Sequence, residues 1–270
     1  MKQRVVGIVG TGLIGGSIGK RARRNGALVL GYDRDVDAPR AALEAGSIDE
    51  AVARDDLYRR ADTVVIAAYL DGVLAEIERI RNAGPVRASL VIDVASVKAP
   101  VVHAAEGVPN FVATHPMAGT ERSGARFADA ELFENRTWAY VPSGDEALDA
   151  RARAFVESFG AIPLAVDAAE HDRIVGFTSH LPQILAWAYG RRAAAYSGDA
   201  FDPLVGRTAK ELLRLSRSDF GFWRSVLAAN VANVEPELRA LATALTEAAD
   251  ALATCTAESE TQVQAAARRE

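Results

Sequence analysis

Residues 5–19, Val-Val-Gly-Ile-Val-Gly-Thr-Gly-Leu-Ile-Gly-Gly-Ser-Ile-Gly, constrain the fold more tightly than any other stretch of the chain. An apolar run (Val5, Val6, Ile8, Val9) enters Gly10-x-Gly12-x-x-Gly15. An amphipathic segment then runs through Lys20, Arg21 and Arg24. The pattern reads strand, tight turn, helix. Residues without side chains let backbone amides approach a pyrophosphate at the helix N-terminus, where free N–H groups and partial positive charge favour anions. Gly10, Gly12, Leu13, Ile14 and Gly15 are therefore the candidate dinucleotide cradle. Ala68, after a later strand, is a further candidate contact.

A second apolar run, Ala27 to Tyr32, ends in Asp33, about the separation expected of an acid that binds an adenosine ribose. A carboxylate there accepts from the ribose hydroxyls and repels a 2′-phosphate, which points to NAD. Arg34 is the opposing signal, because a guanidinium can hold that phosphate, although a solvated loop charge explains it equally well.

Composition sets bounds. A chain of 270 residues exceeds one average domain, so two domains are expected. The net charge of −5, with no Lys/Arg-rich block, argues against nucleic acid as a partner. A single cysteine, Cys255, excludes an intramolecular disulfide and a Cys-rich zinc site, and fits a reducing cytoplasm. Lys2 and Arg4 ahead of an apolar stretch mimic a secretory signal, but the glycines from Gly7 to Gly19 make a poor continuous helix. No run approaches the roughly 18 apolar residues of a membrane span. No metal site is expected.

Strand-like runs at 4–9, 27–32, 62–68, 89–93, 111–114, 137–141 and 161–166 alternate with helical patterns at 13–25, 36–45, 71–83 and 145–158. Such alternation predicts an α/β fold, a doubly wound and mainly parallel Rossmann-type sheet, over residues 1–166. From 167 to 270 the patterns are helical, at 168–195, 201–216 and 219–253, with a polar tail at 254–270 that is expected to fray. Four or so helices in about 100 residues make a thin bundle, so an all-α dimerisation domain is favoured over a self-contained one.

The histidines divide by context. His103 and His171 sit among charged neighbours and read as solvated. His115 ends the run Phe111-Val-Ala-Thr114 and precedes Pro116, so the chain leaves the strand there. Ligands of open α/β sheets bind beyond the carboxyl ends of strands, where a neutral imidazole suits a general base. Capping of a strand is the plainer alternative. Ser96, in Asp93-Val-Ala-Ser-Val-Lys98, is either a helix N-cap or a hydroxyl that orients His115 or substrate. His180 and Gln183 share a helix face beside Pro182, where a kink can open a polar pocket; a satisfied interface histidine is the alternative. Arg214 or Arg217 can clamp an anion bidentately, or pair with Glu211 or Asp219 at the surface. Trp223 reads as core.

Taken in order, the Gly10 turn, Asp93-Val-Ala-Ser-Val-Lys98, His115-Pro-Met-Ala-Gly-Thr-Glu-Arg-Ser-Gly124, Ser179-His-Leu-Pro182 and Ser218-Asp-x-x-x-Trp223 resemble the TyrA family of prephenate and arogenate dehydrogenases. The resemblance spans about residues 4–245. It implies NAD-dependent oxidative decarboxylation of a small dianionic cyclohexadiene, prephenate, in tyrosine biosynthesis. It further implies that His115 deprotonates the ring hydroxyl, that Ser96 aligns it, and that Arg214 binds a carboxylate. Glu121, His180 and Gln183 would complete the pocket of a homodimer. The departures are Gln183, where a second histidine is common, Ala68-Tyr-Leu70 in place of a Val-Pro-Val stretch, and Phe220 in place of proline. Gln183 leaves arogenate, or 4-amino-4-deoxyprephenate, as alternative substrates. An oxidoreductase of the 6-phosphogluconate dehydrogenase type, using Lys210, and a non-catalytic NAD sensor are more distant alternatives.

Overall fold

A computed structural model describes residues 3–84, 86–120, 122–196 and 201–253, so Glu121, Cys255 and the tail from 254 lie outside the described residues. The chain divides into two compact units, one of Met1–Asp172 with Arg217–Ala229, the other of Arg173–Ser216 with Asn230–Glu270.

The first unit opens with β1 (Val5–Val9), α1 (Leu13–Arg24), β2 (Leu28–Tyr32), α2 (Ala38–Glu44), β3 (Glu50–Ala51) and α3 (Arg54–Arg60). β4 (Thr63–Ile66), α4 (Leu70–Ala83), β5 (Leu90–Asp93), α5 (Ala99–Ala104) and β6 (Phe111–Val112) follow. Their six strands pair in the order β3-β2-β1-β4-β5-β6, all parallel, as expected of a Rossmann-type sheet. β4 and β5 are buried along their whole length, because helices cover both faces, and apart from Thr63 and Asp93 at their ends they are apolar, Val64-Val-Ile66 and Leu90-Val-Ile92. β3 and α3 were not legible in the sequence. Leu57 is the one buried residue of Arg-Asp-Asp-Leu-Tyr-Arg-Arg, so the helix carries no apolar stripe to read.

The run 111–114, expected as one strand, is divided between two sheets. After β6 the chain passes through Ala113 into β7 (Thr114–Pro116), which pairs antiparallel with β8 (Thr137–Tyr140). β8 pairs parallel with β9 (Ile162–Ala165), after α6 (Glu146–Glu157), to form a separate three-stranded sheet. The cause is local. Thr114 donates its amide to the Asp93 carboxylate (2.9 Å) and its hydroxyl to the Asp93 carbonyl (2.5 Å), so side chains replace the ladder that would extend β6. Trp138, fully buried on β8, donates to the Thr114 hydroxyl at 2.9 Å and packs on Phe133 and Phe159.

α7 (Ala168–Val175) leads into a π-helical turn (Gly176–His180) and then α8 (Leu181–Ala193), so the helix expected over 168–195 is interrupted. Pro182 sits at the start of α8 and has no N–H to continue the ladder, and the turn before it is widened into π-helix. α9 (Phe201–Leu204) and α10 (Arg207–Leu215) follow. The helix expected over 219–253 is divided at the buried Asn230 into α11 (Phe220–Ala229) and α12 (Val231–Ala253). α11 belongs to the first unit, where Val226 is part of the core and Phe222 and Trp223 pack against it. Trp223 is thus a core contact, as the sequence suggested.

Candidate active site

The strand registers fix which residues share one end of the sheet. Val9 is level with Tyr32 on β2 and with Ile66 on β4, and Ile66 is level with Asp93 on β5. Gly10, Asp33, Ala67 and Val94 therefore emerge together at the carboxyl ends, with the change of winding direction between β1 and β4.

Gly10 has φ +96, and a Cβ there would lie 2.3 Å from the Ala67 carbonyl oxygen. A Cβ on Gly15 would lie 1.9 Å from the oxygen of Gly10. Both positions are closed to any side chain. Gly12, the residue before α1, differs, since nothing lies within 4 Å of a Cβ built on it. The turn is thus packed on its inner side and open where α1 begins, the geometry a phosphate approaching backbone amides requires. Leu13 and Ile14 lie half-buried on the same turn, and Ala68 is half-buried just beyond β4.

Asp33 does more than end β2. One oxygen accepts the amide of Thr11 at 2.7 Å and the other accepts the amide of Asp35 at 3.0 Å, so its carboxylate ties the glycine turn to the β2 loop. Arg34 is exposed beside it.

Near the ends of β5 and β6 lies a buried polar chain. The Lys98 side chain is fully buried, with its ammonium 2.5 Å from Asp93 Oδ2 and donating to the Thr114 carbonyl at 2.7 Å. Burial pushes the Lys98 pKa below its ordinary value, against the opposing pull of Asp93 and Asp172. Asp172 accepts the backbone amides of Lys98 (2.6 Å) and Ala99 (2.8 Å), so it caps the start of α5. Ser96 lies ahead of that start, which corrects the reading of Ser96 as the N-cap. The Asp172 carboxylate also meets His171 Nδ1 at 2.8 Å, and His171 Nε2 lies 3.0 Å from His115 Nδ1.

His115 is half-buried in the middle of β7, level with Ala139, so the chain continues as strand where the sequence suggested that it ends. His171 is 3% exposed, which overturns its reading as a solvated residue. Its neighbours Glu170 and Arg173 suggested water, but its ring meets the adjacent Asp172 on one side and the distant His115 on the other. His115, His171, Asp172 and Lys98 form one connected cluster, and of these only His115 was a sequence-derived candidate.

The remaining candidates lie in the second unit. His180 is 1% exposed, and its Nδ1 lies 3.1 Å from the Asn230 side-chain nitrogen. Gln183, also buried, donates to the Leu215 carbonyl at 2.9 Å. Arg214 is exposed at the end of α10 and pairs with Glu211 at 3.0 Å. Glu121 lies outside the described residues. Among the described residues no cluster of His, Cys, Asp and Glu could hold a metal ion, and no helix is long and apolar enough to cross a membrane.

The family model of the prephenate dehydrogenase nucleotide-binding domain matches residues 18–162, and that of the prephenate dehydrogenase dimerization domain matches residues 167–263. The chain belongs to the prephenate dehydrogenase family. The prephenate dehydrogenase of Bacillus subtilis strain 168 is 31% identical over 246 residues, which are 85% of this chain and 65% of that protein. The chain therefore corresponds to a little under two thirds of that relative's length. The fold superposes on the prephenate dehydrogenase of Aquifex aeolicus solved with hydroxyphenyl propionate and NAD+, with a TM-score of 0.84 at 25% identity, covering 97% of this chain and 94% of that one. The Synechocystis arogenate dehydrogenase is similar with a TM-score of 0.75, also at 25% identity, covering 96% and 95%. Within the prephenate dehydrogenase family the resemblance read from ordered motifs is thus confirmed, as is the Rossmann-type sheet followed by helices.

Proposed function

We propose that this chain catalyses the NAD-dependent oxidative decarboxylation of prephenate to 4-hydroxyphenylpyruvate. The observation that carries the reading is the placement of His115. Its strand starts at Thr114, which is fixed on Asp93 at the same end of the parallel sheet as the Gly10 turn. An imidazole there stands where a substrate beside a bound dinucleotide presents its hydroxyl. The open space at Gly12 fits the pyrophosphate, and Asp33 fits the adenosine ribose and disfavours a 2′-phosphate.

When bound, NAD+ accepts a hydride from ring C4, and loss of the ring carboxylate as carbon dioxide makes the ring aromatic. The work left to the chain is positioning and one proton transfer. His115 takes the proton of the 4-hydroxyl, Ser96 orients that hydroxyl, and Arg214 binds a substrate carboxylate. Residues 167–270 supply the substrate grip and the self-association surface of a homodimer. Phe177, Leu204, Val231, Leu245 and Leu252 are each at least half exposed in the second unit, which supports that surface. The single cysteine is in keeping with work in the cytoplasm.

The test incubates pure protein with NAD+ or NADP+ and either prephenate or arogenate, following reduced cofactor by absorbance. Turnover of prephenate with NAD+, lost in His115→Ala, is the expected result. Arogenate as the better substrate would move the chain to the arogenate branch. Absence of turnover with both substrates would refute the proposal.

A further inference from the structure

We propose that His171 is a positioning residue that fixes the tautomer of His115 and shares the proton His115 takes up. The inference rests on the reading of His115 as the base. It starts from Asp172, whose two oxygens accept the backbone amides of Lys98 and Ala99, so that the carboxylate presents an acceptor to His171. An ionised carboxylate only accepts. His171 Nδ1, 2.8 Å away, must therefore carry its proton and donate it.

The neutral ring then has a lone pair on Nε2. That nitrogen lies 3.0 Å from His115 Nδ1, so His115 donates Nδ1–H to it. The neutral His115 ring is thereby left with its lone pair on Nε2, the nitrogen that can receive a proton. The chain Asp172–His171–His115 performs by two rings in series what a carboxylate performs for one histidine in a hydrolase triad.

The proton balance is closed. The substrate O–H bond breaks and its proton goes to His115 Nε2, while the electron pair of the breaking C4–H bond leaves with the hydride to NAD+. The imidazolium is stabilised by His171, and its Nδ1 proton can pass to His171 Nε2, where the positive ring is paired with Asp172. Departure of the ring carboxylate as carbon dioxide leaves its bonding pair on the ring oxygen as a phenolate. The reverse transfer returns the proton to His115 Nδ1, and Nε2 then gives its proton back to that oxygen. The charged groups that the hydrogen bonds connect to this pair are Asp172 on α7, which meets His171 and the backbone of Lys98, and the Lys98–Asp93 pair that holds Thr114, the residue before His115.

Two variants separate the roles. His171→Phe removes the acceptor for His115 Nδ1–H; His171→Gln keeps an acceptor but cannot take a proton. For Phe, kcat is expected to fall about 100-fold or more, the scale of general base catalysis, with KM for prephenate changed less than about 3-fold. The acid limb of its pH profile moves to lower pH, because the partner that favours the His115 imidazolium is gone. Gln is expected to recover about half of that loss on a logarithmic scale. Cofactor affinity by calorimetry stays unchanged in both.

A Phe variant with wild-type kcat and pH profile overturns the proposal. Should that variant not fold, ¹⁵N NMR of histidine-labelled wild type decides: His115 protonated on Nδ1 and bare on Nε2 at neutral pH supports the assignment, and the opposite tautomer refutes it. His115→Ala keeps the two readings apart. Full activity in that variant removes the base itself, whereas a dead His115→Ala beside an active His171→Phe removes the relay alone.

Discussion

Lys98 places its ammonium 2.5 Å from the carboxylate of Asp93, and neither side chain has any exposed surface. The pair is structural in the first instance. Asp93 Oδ2 also accepts the amide of Ala95, Oδ1 accepts the amide of Thr114, and Lys98 holds the Thr114 carbonyl. The backbone immediately before His115 is therefore held on both sides by buried charge.

Lys98→Met is expected to destabilise the protein by about 3–5 kcal/mol, the usual consequence of leaving one member of a buried ion pair alone. Urea unfolding at neutral pH measures it. A loss below about 1 kcal/mol would mean that the amide donors satisfy Asp93 without the ammonium.

The glycine turn gives a paired test. Gly15→Ala puts a Cβ on the Gly10 carbonyl, so both melting temperature and NAD+ affinity should fall. Gly12→Ala meets no protein atom, so its stability loss should stay within about 1 kcal/mol, the range of a changed helix cap. Its NAD+ affinity should still fall at least about 10-fold, since the methyl occupies the space given to the pyrophosphate. Calorimetry on both variants reads the contrast, and equal affinities for wild type and Gly12→Ala would place the cofactor elsewhere.

Asp33→Asn keeps an oxygen for the Thr11 amide and removes the charge. The ratio of kcat/KM for NAD+ over NADP+ should drop by about 10-fold, because the repulsion of a 2′-phosphate is lost while the turn stays tied. An unchanged ratio would assign cofactor choice to another residue.

Tyr58 donates to Glu76 at 2.9 Å, and burial first, then the charge of Glu76, pushes its phenol well above the ordinary value. A raised folded-state pKa stabilises fully below the unfolded value of about 10 and is lost as pH rises beyond it, at about 1.4 kcal/mol per pH unit for this group. Tyr58→Phe should cost about 1 kcal/mol at pH 8 and show a shallower loss between pH 10 and 11. Parallel slopes for the two proteins in urea titrations would show that Tyr58 ionises as easily folded as unfolded.

How much of this was legible depends on how local each cause is. The turn at Gly10 and the position of Asp33 after β2 were readable because strand, turn and helix lie within a few residues of one another, whereas His115 was singled out on a strand end at Pro116 that the structure does not have. His171 was not readable, because its ring meets His115, 56 residues away, and its neighbour Asp172 is held by the distant backbone at Lys98. The change of sheet at Ala113 was hidden for the same reason, since Thr114 is held by Asp93 rather than by a turn signal of its own. At Pro182 the sequence marked a disturbance in the helix, and in the structure it takes the form of a π-helical turn over Gly176–His180.

One consequence follows from the course of α11. The segment Arg217–Ala229 comes back to the first unit after the chain has spent more than forty residues in the second, and Val226 closes part of the first core. A fragment ending at Asp172 would contain every strand of both sheets and still lack a piece of its own interior. The nucleotide-binding half is accordingly not a cassette that recombination could lift out by a single cut. Any gene fusion that borrows it must carry the intervening helices along, or supply a substitute for α11.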